Sequence, residues 1–258
     1  MRLTSVSGVL TGALLDFSGS DDYPTSFSNG QSSPIQFGTQ LEAVGMDGLV
    51  TTSNVANWGA AELVYVRNTG SAITPGQLVH LDNAFTMSLV PNTGATGRPV
   101  YVTLTNFAAG STTVQGGWVL RSGICPVAYA VAATTGAVYI SATPGSATPT
   151  NPTGQKQIAN ATCLVAGAST FTRSITAVNG SKSVRISGVQ GIFIGQAIST
   201  AGNTPIPTSS TVAAIDPSGQ FLTLNNAAVA SGTATATFTN TNFGICQLDR
   251  SFVMAAVS

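Results

Sequence analysis

Ala61-Glu62-Leu63-Val64-Tyr65-Val66-Arg67-Asn68, then Thr74-Pro75-Gly76 and Gln77-Leu78-Val79-His80-Leu81, is the stretch whose reading decides the fold. The first run is dense in β-branched and aromatic residues and stops at Asn68-Thr69-Gly70. Pro75 presets φ for a turn and Gly76 supplies a positive φ. Outward from it the same pattern recurs at residues 99–105, 117–121, 123–130, 136–141 and 157–164, each run bounded by a Gly, Pro, Asn or Ser cluster. Short strands with regular turn signals predict an all-β barrel or sandwich. Trp118 is expected to anchor its core.

A second texture occupies residues 172–239. Short strands are expected at 175–178, 183–186, 196–198, 211–215, 221–224 and 233–238, with turns at Asn179-Gly180 and Asp216-Pro217-Ser218-Gly219. Asn-Gly between alternating runs is a strong hairpin signal. Thr170-Phe171-Thr172 and Thr237-Phe238-Thr239 bracket the segment. If these ends pair as antiparallel neighbours, 172–239 is an Ig-like β-sandwich inserted into a loop of the first domain. Phe243-Gly244-Ile245-Cys246 echoes Ser122-Gly123-Ile124-Cys125, as if the chain then returned to its first domain. The expected organisation is an extended N-terminal arm (1–58), a β-barrel domain (59–171 plus 240–258) and the inserted module (172–239). The arm carries Tyr23, Phe27, Ile35 and Phe37, too apolar for free disorder. It is expected to pack onto its own barrel or onto a neighbouring subunit, with a short helix near 51–59.

Charged residues make up 7% of the 258-residue chain, with nine basic and nine acidic residues and no net charge. About 25% is usual for a soluble domain. Thr, Ser, Asn and Gly must therefore cover the surface, which suits a protein covered by copies of itself or by a partner. The basic residues are scattered, whereas a nucleic-acid surface needs a dense stripe. No apolar run approaches the roughly 18 residues of a membrane helix. Residues 1–15 read as a short β segment rather than a signal peptide, since Ser, Thr and Gly interrupt the apolar centre. Cys125, Cys163 and Cys246 are odd in number and far apart, without metal-ligand spacing; they read as buried small apolar residues.

No residue pattern in the chain marks an enzyme. His80 and Asp82 share a face if both lie in a strand, but no nucleophile elbow accompanies them, and a hydrogen-bonded strand pair is the simpler expectation. Asp16, Asp21 and Asp22 with Ser18 and Ser20 lack the spacing of a calcium loop. Glu42 and Asp47 are two carboxylates whose separation nothing in the sequence sets. Gly94, Gly97 and the glycines from 188 to 195 belong to no phosphate-binding pattern. No catalytic, metal or cofactor site is expected.

Two patches carry a family resemblance. The first runs through residues 61–68, 74–79, Gly117-Trp118-Val119-Leu120-Arg121-Ser122-Gly123 and Gly136-Ala137-Val138-Tyr139-Ile140. It resembles the small β-barrel decoration (cement) proteins of tailed-bacteriophage capsids. The second, Val184-Arg185-Ile186-Ser187-Gly188-Val189 through Ile206-Pro207-Thr208 to Phe221-Leu222-Thr223-Leu224, is similar to Ig-like or β-sandwich modules of phage virion proteins. The resemblance implies a structural virion protein on the outer surface of the capsid. It would be a homotrimer binding the major capsid protein, with one module projecting and no nucleic-acid or membrane partner. The inserted module departs from simple cement proteins. It leaves open a tail-fibre or spike role in recognising a host glycan, for which Phe193 and Phe221 are the candidate aromatics. A secreted adhesin is a third reading.

Overall fold

The structure is a computed structural model that describes residues 2–4, 14–16, 25–28, 38–43, 61–92, 96–104, 106–110, 113–150, 156–167, 170–189, 191–216 and 219–254. The strands of the first half are β1 (Arg2–Thr4), β2 (Leu14–Asp16), β3 (Thr25–Ser28), β4 (Gln40–Ala43), β5 (Ala61–Asn68), β6 (Leu78–Leu81), β7 (Met87–Leu89), β8 (Tyr101–Thr103) and β9 (Thr113–Ala128). There follow β10 (Gly136–Ile140), β11 (Ala147–Thr148), β12 (Gln157–Val165), β13 (Thr170–Ala177), β14 (Ser183–Ile186), β15 (Ala197–Thr200), β16 (Ser210–Ile215), β17 (Phe221–Leu224), β18 (Gly232–Thr239) and β19 (Phe243–Val253). The chain is all-β, with a single 3₁₀ turn (Ala201–Asn203) among the described residues.

An eleven-stranded curled sheet is organised on β9. Sequence reading splits this segment at Arg121-Ser122-Gly123, yet the ladder runs straight through. Ser122 sits opposite both Glu62 of β5 and Asp249 of β19, so a break there would leave partners on either side unsatisfied. Gly123, at φ +131°, absorbs the change of direction. Around β5 and the first half of β9 the sheet is buried on both faces: Leu63, Tyr65, Trp118 and Leu120 face one core, and Val64, Val66 and Val119 the other. The curl brings the sheet's two ends together, because Gly145, in the β10–β11 turn, accepts from Leu78 N–H and donates to the Val90 carbonyl. Most of the expected N-terminal arm lies outside the described residues, as does the helix expected near 51–59. Its strands β3 and β4 pair with β9 and β5 of the chain's own sheet.

Strands β13–β18 form a separate, closed barrel in the order β13-β14-β17-β16-β15-β18. The bracketing tripeptides do pair: Thr170 faces Thr239, Phe171 faces Phe238 and Thr172 faces Thr237. The sandwich expected for this segment is thus a single closed sheet. First and last strands are neighbours over eight residue pairs, and closure leaves no unpaired edge. Its strands alternate, with Ile175, Val184, Ile186, Ile198, Leu222 and Phe238 inside and most threonines and serines outside, Thr200 and Ser210 at strand ends being buried. The barrel stands where a hairpin turn would be, since β12 and β19 are antiparallel partners up to Val165 opposite Ile245.

Phe243 joins the two bodies. Its ring meets Phe193 edge-on at 4.9 Å. A Cβ on Gly195 of the barrel would come within 3.1 Å of it, and one on Gly76 of the sheet within 2.8 Å. Nearby, the Gln196 amide donates to Asn240 Oδ1 at 2.6 Å in a buried bond.

Trp118 is fully buried and meets Tyr65 edge-on at 5.2 Å. Truncating it with Trp118→Ala should cost about 3–5 kcal/mol, read as a lowered urea midpoint with an unchanged slope.

Candidate functional site

The residues singled out for chemistry do not converge. His80 is buried in β6, where its Nδ1–H donates to the Pro99 carbonyl at 2.7 Å and Nε2 has no partner. Burial, the largest influence, holds its imidazole below the ordinary range. Asp82 lies past the end of the strand, exposed in the β6–β7 turn. There its Oδ1 accepts from the backbone N–H of Ala84 and Thr86 at 2.8 Å each. The Thr86 bond leads in holding that carboxyl below its usual value. The expected strand pair is therefore two separate structural devices: strand alternation ends at Leu81, and Asp82 serves the turn.

Asp21, Asp22, Ser18, Ser20, Asp47 and Gly94 lie outside the described residues, while Asp16 and Glu42 fall in β2 and β4. Among the described residues no three His, Cys, Asp or Glu side chains are grouped to hold a metal ion. No described helix is long and apolar enough to cross a membrane.

What the fold does build is surfaces. The outer face of β12, β19 and β9 carries a row of Val165, Ile245 and Pro126, with Thr162, Gln247 and Ile124 beside it. Val165 and its neighbour Leu164 are each 43% exposed, and Ile245, Ile124 and Pro126 are half-buried. Charge is confined to one end of this face. There Arg250 donates to Glu62 through Nη2 at 2.6 Å and Nε at 3.1 Å, with the Arg121 Nε 3.9 Å away. The bond from Arg250 holds the Glu62 carboxyl below its usual range.

The barrel offers a second surface, a polar groove of about 390 Å³ lined by Ser174, Thr176, Arg185, Ser187 and Gln220. Thr176, Arg185 and Phe221 form one cross-strand row over β13, β14 and β17, and Phe221 is 40% exposed. Of the two aromatics expected to be displayed, only Phe221 is. Phe193 is buried against Phe243. A second recess of similar volume lies between the bodies, walled by Thr74, Pro75 and Phe243 on one side and by Ile194, Val212 and Asn225 on the other.

The three cysteines, far apart in sequence, sit side by side across β12, β19 and β9. Sequence reasoning missed this, because only the strand register reveals it. No protein-family description, curated protein or solved structure matches the chain.

His80 makes stability pH-dependent. The unfolded imidazole takes up a proton as the pH falls through about 6.5, while buried His80 resists it, so the unfolded state binds more protons and gains. The urea midpoint should therefore hold above neutrality and fall from pH 7 to pH 5, and His80→Gln should flatten that fall.

Proposed function

We propose that this chain is a structural protein of a bacteriophage virion, a decoration (cement) protein. It binds the major capsid protein on the outside of the shell as a homotrimer and stabilises the shell. The observation that carries the reading is the half-exposed apolar row Val165, Ile245 and Pro126 on the outer face of β12, β19 and β9, with charge only at one end of that face, on a chain with 7% charged residues. Burying such a face contributes roughly 25 cal/mol per Å² before ordering costs. Many copies would each clamp adjacent capsid subunits in this way, with the barrel directed outward from the hairpin β12–β19. Catalysis has no place in the reading.

Shells assembled without the protein, then mixed with it and imaged by cryo-EM, test this. Occupancy of the shell should survive about 1 M NaCl, because an apolar contact is little screened. Ile245→Asp should abolish occupancy while leaving the unfolding midpoint nearly unchanged. Release by moderate salt, or no binding by the wild type, would overturn the reading.

A second reading, host-glycan recognition by the projecting module, is favoured by the groove beside Phe221. An exposed aromatic next to a cation, hydroxyls and an amide provides a stacking face and hydrogen-bonding groups for an acidic sugar. On this reading Phe221→Ala and Arg185→Ala each weaken binding to an acidic polysaccharide at least about tenfold, a loss of about 1.4 kcal/mol, measured by calorimetry. Shell occupancy would be unaffected.

A further inference from the structure

Cys163 lies directly opposite Cys246 in the β12–β19 ladder, and Cys246 directly opposite Cys125 in the β19–β9 ladder. All three are free thiols and belong to one core, so their side chains share the inner face. Directly opposed residues of an antiparallel pair have Cα atoms about 4.5 or 5.5 Å apart. Either spacing falls inside the window of about 4.4–6.8 Å that a disulfide spans. The pocket is shaped around the sulfurs. The Tyr129 hydroxyl is 3.4 Å from Cys246 Sγ, and Cys163 Sγ is 3.3 Å from the Val165 carbonyl. A Cβ on Gly244 would come within 2.8 Å of Cys163 Sγ, so the bare backbone there makes room for the thiol.

We propose that Cys163 and Cys246 are an oxidation site that a peroxide closes into a cross-strand disulfide. The three thiols are not equivalent. A hydrogen bond from the Cys246 thiol brings Cys163 down to about 7. Burial pushes Cys125 up, and Cys246 is raised first by the bond it gives to Cys163. Of the three, Cys163 therefore loses its proton most readily, and a thiolate is the nucleophile.

Its sulfur attacks one oxygen of hydrogen peroxide. The S–O bond forms, the O–O bond breaks, and the departing hydroxide takes up a proton to become water. The sulfur of Cys246 then attacks the Cys163 sulfenic acid. The S–S bond forms, and the sulfenic oxygen leaves as a second water with the Cys246 proton. Two thiols are oxidised and one peroxide is reduced. Peroxide is small enough to reach a buried pair, and Cys125 stays reduced. The new bond would cross the last rungs of the hairpin that carries the barrel, fastening the two strands through which the chain leaves the sheet and returns.

The test is to expose the folded full-length protein to hydrogen peroxide, quench, unfold it in an alkylating agent and map the peptides by mass spectrometry. The expected product has lost two hydrogens, links the Cys163 and Cys246 peptides within one chain, and is alkylated only at Cys125. Cys125→Ser should give the same link. Cys246→Ser should stop at a sulfenic acid on Cys163 that dimedone traps. Three alkylated thiols in the wild type after exposure, or a link through Cys125, would overturn the proposal.

Discussion

Hydrogen bonding on both edges of β9 is the constraint on which the large sheet depends. Gln115 and Gly116 face residues of both β3 and β5, Val119 and Leu120 face β5 and β8, and Ser122 faces β5 and β19. A strand has only two edges, so β5 lines one of them and β3, β8 and β19 follow one another along the other. A sixteen-residue strand with every partner assigned must bend rather than stop, which is the role of Gly123. It must also be apolar on both faces, and Trp118 and Val119, adjacent and both fully buried, are that requirement written in side chains.

The near absence of charge is compatible with a barrel that closes on itself and a sheet that curls end to end. The barrel has no edge at all, and the sheet bends until Gly145 reaches Leu78 and Val90. Edge strands elsewhere are commonly guarded by lysine. Here closure replaces charge, and small hydroxyl residues cover the outside, as where Thr176 and Thr233 meet at 3.0 Å across β13 and β18. Among the described residues the compact ionic group is Glu62 with Arg250 and Arg121, and it sits at the end of the exposed apolar face rather than on it. Exposed pairs of this kind contribute at most about 1 kcal/mol, so it adds little to stability.

How much of this was legible in the sequence depended on whether the information was local. The inserted segment could be read because Thr-Phe-Thr at both ends has the alternation of a paired strand, and the Asn179-Gly180 turn carries its own signature. Its closure into a barrel could not, because which of six similar strands become neighbours is decided by a shared core. The break expected between 121 and 123 is absent, because a glycine that bends a strand and one that bounds it look alike in sequence. His80 and Asp82 share a period-two spacing, yet the strand ends between them. Phe193 and Phe221 are both aromatic residues of the same module. They differ only in what the fold places against them, Phe243 in one case and solvent beside Arg185 in the other. The surfaces and the thiol row were the least legible features, since each depends on register between strands distant in sequence.

The placement of the barrel at the tip of the β12–β19 hairpin bears on how such a chain arises and varies. Cutting out the barrel and joining the two strands by a short loop leaves an ordinary hairpin, already hydrogen-bonded along its length. A lineage could therefore gain, lose or exchange the barrel in a single recombination event without re-inventing the sheet. The two bodies are then free to diverge at different rates. Phe243 and its two glycine neighbours, Gly76 and Gly195, are the seam that each new barrel must fit.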